Sequence, residues 1–294
     1  MIVFAAIVAV ILVILYARWK TRYRFPPADV PRILCYHKFS DRFCFEGTWL
    51  PRRRFVEQVD FLLGRGYRFI GEEEYFESLQ RRTSENAKKI LLTFDDGYEE
   101  LFDVYVEDLV PRGIPILVFL VADFAGRENT WDLSLGRRPF VHLSWDQVRE
   151  MADLGARFGS HGLSHADVTR LTTEGLCGEI DDSRRIIGEQ TGREVLSFSY
   201  PFGRYDRRSK AAVEAAGYTG AFSLYPRHTN EYVDWFCLRR NGVYIIDTTV
   251  SLSWKLEGSC FFWFEEMKCR TINALSVLTP LLKNLSRLAR LRDR

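Results

Sequence analysis

The sequence predicts an α/β fold built on a mostly parallel sheet, open or closed into a barrel. Seven short apolar runs read as strands: RILCYH (32–37), YRFI (67–70), KILLTF (89–94), IPILVFLVA (114–122), ARFGSH (156–161), VLSFSY (195–200) and YTGAFSL (218–224). Amphipathic stretches at 53–63, 98–110, 144–154, 173–190 and 207–216 lie between several of them. Strands alternating with helices in this way form layers in which helices cover a parallel sheet. A chain of 294 residues is of ordinary size for a single α/β barrel.

From the start of the chain, the first element is MIVFAAIVAVILVILYA (1–17), which carries no charged side chain. As a helix rising about 1.5 Å per residue it is just long enough to cross a bilayer core. No basic residue precedes it and no small-x-small cleavage site follows, so an uncleaved transmembrane anchor is expected rather than a signal peptide. Arg18, Lys20, Arg22 and Arg24 follow the run. Because basic flanks resist translocation, the expected location is the cell membrane with the main domain on the cytoplasmic side, the extracytoplasmic side being the alternative. Residues 18–30 then form a basic juxtamembrane linker that leads through FPPADVP into a domain spanning 31–245. Within it, 127–138 reads as a longer insertion loop. Residues 246–294 form a C-terminal extension with an aromatic cluster, CFFWF (260–264), and a basic stretch, LSVLTPLLKNLSRLARLRDR (275–294), with leucines at helical spacing. That stretch either packs on the barrel or lies in a membrane interface, arginines at the headgroups.

Composition excludes some classes. The formal charge of +2 gives no basis for a nucleic-acid partner. Cys35, Cys44, Cys177, Cys237, Cys260 and Cys269 show no CxxC spacing, hence no zinc-site pattern and no readable disulfide framework. A reducing compartment fits this usage.

The chemistry concentrates at strand ends, where α/β folds place their sites. KILLTF opens directly onto Asp95 and Asp96, two carboxylates that repel unless a cation or a proton compensates. Either could instead cap the following helix. A second strand end carries His161 and His165, four residues apart; alone, such a pair reads first as a surface or capping pair. Beside two carboxylates, the histidines complete a set of two imidazoles and one carboxylate, which suits a catalytic divalent metal with open positions. One aspartate would bind the ion and the other would be free to act as a base.

TFDDG (93–97), SHGLSH (160–165) and SYPFG (199–203), in that order, resemble the polysaccharide deacetylase family with its NodB-homology domain, of the carbohydrate esterase family 4 type. LCYHKFSD (34–41) and FVEQVDFLLGRGYRFI (55–70) resemble that family's N-terminal segment, and the likeness covers about residues 31–240. The resemblance implies a distorted (β/α) barrel, here with an N-terminal transmembrane helix and a C-terminal helical extension. It implies a metal-dependent carbohydrate deacetylase, a hydrolase of carbon–nitrogen bonds other than peptide bonds, with one divalent metal ion, zinc being expected. Asp95 would be the general base, Asp96, His161 and His165 the metal ligands. His37, from the first strand, would supply the acid for the leaving amine; His228, in the last third of the chain, sits in polar surroundings, and His142 reads as structural or on the surface. Tyr200, Pro201 and Phe202 would line the substrate side, with a backbone N–H near Phe202 facing the oxyanion. Many family members carry an arginine where this chain has Ser199, and Arg240 in LRRNGV, read as following the late strand, is the candidate to replace it. The expected function is therefore a membrane-anchored deacylase acting on the N-acyl, expected N-acetyl, group of an aminosugar. Its expected partners are an acylated aminosugar glycan or a lipid-linked sugar, together with the membrane. The alternative is a noncatalytic glycan-binding or scaffolding protein on the same fold.

Overall fold

The computed structural model describes residues 25–42, 44, 47–131, 139–224, 233–258 and 261–276. Its strands are β1 (Arg32–Tyr36), β2 (Lys38–Phe39), β3 (Trp49–Leu50), β4 (Arg68–Ile70), β5 (Lys89–Phe94), β6 (Leu117–Leu120), β7 (Arg157–Ser160), β8 (Ser197–Ser199), β9 (Gly220–Leu224) and β10 (Leu238–Gly242). β2 and β3 pair with each other, and the remaining eight form one parallel sheet in the order β1-β10-β9-β8-β7-β6-β5-β4. β1 also pairs with β5, closing a ring. A strand has two edges, and β1 occupies one edge of β5 from Ile90 to Phe94. β4 and β6 therefore share the other edge, β4 against Lys89–Leu91 and β6 against Thr93 and Phe94. This shared edge is the distortion of the barrel.

Alternation along each strand separates two cores. Ile33, Leu91, Leu117, Phe119, Phe222 and Leu238 form one cluster with Tyr75, Phe76 and Leu79 of the helix Glu72–Arg81. The opposite parity, including Leu34, Ile90, Leu92, Val118 and Phe198, packs in the cluster that contains the surrounding helices. The rings of Tyr75 and Phe76 come within 6.0 and 6.4 Å of Phe222, so that helix plugs the end of the barrel where the strands begin. Sequence periodicity did not single it out, although Glu72, Glu73 and Glu74 occupy its first turn, where the helix dipole favours negative charge. The interior is tight: a Cβ on Gly159 would sit 2.6 Å from a ring carbon of Phe119, so β7 can pass there only with glycine.

The other helices lie close to their expected positions: Arg52–Gly64, Glu100–Val104, Trp145–Asp153, Thr173–Cys177 with Ser183–Thr191, and Arg207–Ala215. The helix Trp145–Asp153 starts on a capping box of Ser144 and Gln147, and Arg207–Ala215 on one of Asp206 and Ser209. β10 is an addition to the expected strands, because LRRNG has a single apolar residue, Leu238, too little to mark one; Arg240 lies inside it, not after a strand. Beyond β10, helices Thr249–Leu256 and Phe262–Ser276 are tied to the barrel by buried charge. Lys255 Nζ donates to the Gly242 carbonyl at 2.7 Å and pairs with Asp247, which also takes Lys268 Nζ at 2.5 Å.

The membrane expectations are corrected. Among the described residues no helix is long and apolar enough to cross a membrane. Phe262–Ser276, at 15 residues, would span about 22 Å against about 30 Å of hydrocarbon, and it carries Glu265, Glu266, Lys268 and Arg270. The run 1–17 and the stretch 277–294 lie outside the described residues. The transmembrane helix, the membrane-anchored form of the function, the membrane partner and the cell-membrane location with its cytoplasmic placement are withdrawn.

Candidate metal centre and active site

The site is built at the end of the barrel where β5, β7 and β8 finish. After β5 the chain turns sharply: Asp96 and Gly97 both have left-handed backbones, with φ of 68° and 67°. A Cβ on Gly97 would lie 2.5 Å from Leu120 Cδ2, so the second of these positions requires glycine. The turn is held by a returning segment. Asp95 N–H donates to Tyr36 O at 2.9 Å, His142 Nδ1 lies 2.9 Å from Asp96 O and Leu143 N–H donates to Gly97 O at 2.8 Å. Since the Asp96 carbonyl can only accept, His142 carries its proton on Nδ1.

His161 follows β7 directly, its N–H donating to Leu120 O at 2.8 Å. Its Nδ1 donates to Ser199 O at 2.7 Å, which leaves the Nε2 lone pair facing inward. His161 Nε2 stands 3.6 Å and His165 Nε2 3.4 Å from Asp96 Oδ1. These separations are longer than an N–H···O hydrogen bond. They match the edges of a tetrahedron of ligands at 2.0–2.1 Å from a zinc-sized ion, about 3.3–3.4 Å. The donor atoms of all three residues lie within 4.8 Å of one another, and the set fits a divalent metal ion. Burial lowers the pKa of both imidazoles, for His161 against the opposing pull of Asp95, and for His165 with His161 adding to the effect. Both are therefore neutral, the form that ligates.

Asp95 points to the other side. Arg240, fully buried in β10, donates through its two terminal nitrogens to Asp95 Oδ1 at 2.6 Å and Oδ2 at 2.7 Å. The same guanidinium donates to Ser199 Oγ at 2.8 Å, and Ser199 Oγ donates to Asp95 Oδ2 at 3.4 Å. Ser199 thus stands as a neutral bridge beside an arginine that reaches the aspartate from another strand. Burial alone would raise the Asp95 pKa; the Arg240 charge, with His161 and the Arg240 hydrogen bonds, overrides it and holds the carboxyl well below the usual range.

His37 lies just past β1, in a second cluster where its ring, Cys35 and Asp95 bring donor atoms within 4.8 Å. Its Nδ1 is buried with no hydrogen-bond partner among the described residues. Burial holds its pKa down to about 4, although Asp95 pulls it up. Phe202 is half-buried, its backbone left-handed at φ 59° and its ring 4.6 Å from that of His165. Pro201 is buried, and the Tyr200 side chain is turned into the outer core, its hydroxyl donating to Phe236 O at 3.0 Å. His228 lies outside the described residues. His142 is 2% exposed, stacked on Tyr98 and 5.1 Å from Trp131, whose own ring stacks 4.4 Å from His165. Of the four non-glycine residues with positive φ among the described residues, Asp96, His165 and Phe202 belong to this site, so the backbone strain collects here.

Sequence reasoning missed Cys35 and Thr93, which stand two residues before His37 and Asp95; strand alternation carried back from those residues puts both on the site's face. It also missed Trp131, which falls in the expected insertion loop, and Glu179, which no spacing connects to the histidines.

The polysaccharide deacetylase family matches residues 82–221, a span that contains the aspartate turn, the histidine loop and SYPFG. A Bacillus subtilis (strain 168) protein, YxkH, provisionally named a polysaccharide deacetylase, is 26% identical over 243 residues, 82% of this chain and 78% of its own. Among solved structures, the Streptococcus pyogenes deacetylase PplD in complex with acetate aligns with a TM-score of 0.62 at 21% identity, covering 76% of this chain and 96% of its own. IcaB from Ammonifex degensii aligns at 0.63 with 24% identity, covering 78% and 95%. At such identities these two structures speak for the barrel fold.

Proposed function

Since the chain belongs to the polysaccharide deacetylase family, we propose that it is a metal-dependent carbohydrate deacylase that hydrolyses the N-acyl group, N-acetyl foremost, of an aminosugar glycan. The observation that supports this best is the placement of Asp95: ionised, clamped by Arg240, and with Oδ2 3.9 Å from His161 Nε2, directly beside the Asp96–His161–His165 set.

Asp96, His161 and His165 would hold the ion, zinc by the nitrogen-rich donor set. When bound, it supplies positive charge that polarises the acyl carbonyl and acidifies water. Asp95 is the base that accepts the proton of the attacking water. A carboxylate held at so low a pKa is a weak base, which is tolerable only where the water has been made more acidic. Arg240 keeps the carboxylate ionised and fixes its plane. His37 is the acid for the leaving amine. Neutral in the resting site, it must take up the proton released in the reaction, and Asp95, part of the same cluster, raises its proton affinity. The Phe202 N–H would face the oxyanion.

The test is the purified chain loaded with zinc and offered N-acetylated and N-formylated glucosamine oligomers, with free amine and released acid measured together. Equal release of both, abolished by chelation and restored by zinc, is expected. A zinc-loaded protein that releases neither from any aminosugar oligomer refutes the reading.

A further inference from the structure

We propose that Glu179 is a positioning residue that sets the loop between His161 and His165 in its ligating shape before any ion arrives. The inference rests on the reading that Asp96, His161 and His165 hold a divalent ion.

The loop Gly162-Leu163-Ser164 has three successive amides, and all three are satisfied by side chains. Gly162 N–H donates to Ser160 Oγ at 3.0 Å. Leu163 N–H and Ser164 N–H both donate to Glu179 Oε2, at 2.7 and 3.0 Å, and the Ser164 hydroxyl donates to Glu179 Oε1. Consecutive amides turned toward one point make an anion-binding concavity, and here the anion is a side chain of the same protein. The loop carbonyls are held as well: Gly162 O accepts from Ala122 N–H at 3.1 Å and Leu163 O from Asp123 N–H at 2.9 Å.

Glu179 reaches this place from an unusual backbone. It lies in a π-helical turn, Gly178–Asp182, between the α-helical runs Thr173–Cys177 and Ser183–Thr191. Such single-turn bulges inside α-helices are frequent at functional sites. The loop is shaped to receive it. A Cβ on Gly162, whose φ is +84°, would stand 2.8 Å from Glu179 Oε2. Ser183 Oγ donates to Glu179 O at 2.6 Å and lies 2.6 Å from Ser160 Oγ, which ties the glutamate's backbone to the end of β7.

The consequence falls on His165, whose left-handed backbone follows directly after Ser164. A strained residue keeps its conformation only where its surroundings over-determine it. The three bonds to Glu179 supply that constraint one and two residues upstream. Without them, two amides and a hydroxyl in a part-buried loop lose their acceptor. His165 then no longer has a fixed direction, while the fold, held by the barrel, persists.

The experiment compares zinc affinity, by competition with a chromophoric chelator, in the wild-type chain and in Glu179→Ala, Glu179→Asp and Glu179→Gln. Folding is followed in the metal-free proteins by circular dichroism and thermal midpoint. Loss of an outer partner of a ligand weakens metal binding about 10–100-fold, and that loss is expected for alanine and for aspartate, which keeps the charge but falls one methylene short. Glutamine keeps the reach, accepting both amides with its carbonyl oxygen, and should bind within about fivefold of wild type. A carboxylate that merely ties a helix to the barrel would lower the metal-free midpoint and leave zinc affinity unchanged. Should alanine prevent folding, the aspartate and glutamine variants decide between the two. Aspartate binding as tightly as wild type, or glutamine as weakly as alanine, overturns the proposal. A wild-type chain that binds no zinc sinks the metal reading itself.

Discussion

Replacing Arg240 with methionine removes the guanidinium that faces Asp95 from within the barrel wall. Arg240 is fully buried, and the change deletes its two bonds to Asp95, at 2.6 and 2.7 Å, and its bond to Ser199 Oγ at 2.8 Å. Asp95 keeps Ser199 Oγ at 3.4 Å and is otherwise a buried carboxylate without its counter-charge. Breaking a buried pair from one side costs about 3–5 kcal/mol. At about 2–4 °C per kcal/mol for a domain of this size, the metal-free midpoint should fall by about 6–20 °C. The sign of the pH effect follows from the same contact. Asp95 is depressed in the folded state, so the pair contributes its full stability above the unfolded carboxylate pKa of about 3.9 and loses it as pH falls through the folded value. Without Arg240, burial raises the Asp95 pKa, and the acid limb of kcat/KM should move to higher pH. The assay is a double-mutant cycle of Arg240→Met and Asp95→Asn, by thermal and denaturant unfolding of the chelator-treated protein, with pH profiles on the single Arg240 variant. Removing both charges should cost less than the two single losses together by well over 0.5 kcal/mol. Additive costs together with an unmoved acid limb would refute the coupling.

Alanine at either His161 or His165 should greatly weaken zinc binding and abolish deacylation; full zinc occupancy in the double variant, by elemental analysis, would overturn the ligand assignment. Asp95→Asn should keep its zinc yet lose turnover by about 10²–10⁴-fold, the usual worth of a general base, so wild-type kcat in that variant would exclude Asp95 from the role. His37→Ala should likewise keep zinc, and should slow substrates with a basic leaving amine more than activated esters, whose alcohols need no protonation; equal losses on both would remove His37 as the acid. Away from the site, burial raises the Asp247 pKa but Lys255 and Lys268 override it and hold it down. Its contribution is therefore present above about pH 4 and lost as pH falls further, so Asp247→Asn should destabilise strongly at pH 7 and progressively less in acid, which unfolding curves at several pH values will show.

Short segments were enough for the strand–helix alternation, and to put forward Asp95, Asp96, His161 and His165 as candidates, because they stand at or just past the ends of locally marked strands. Alternation within a strand says which residues share a face; it does not say which strand lies opposite. Arg240 and Asp95 are 145 residues apart, and only closure of the ring, with β1 between β5 and β10, turns both side chains into one interior. β10 itself escaped notice because only Leu238 among its inward side chains is apolar, and the next inward side chain, Arg240, meets Asp95 rather than filling an apolar core. The division of the β5 edge between β4 and β6 and the plug formed by Tyr75 and Phe76 belong to the same class, as contacts that exist only once the sheet has curled. Glu179 depends on a π-helical turn, Gly178–Asp182, that brings its carboxylate back to the loop after β7, and no spacing in the sequence announces that contact. What the sequence by itself determined is the local chemistry of the two motifs. The tertiary structure decided which charges compensate one another, because compensation depends on distance in space and the chain order carries none of that information.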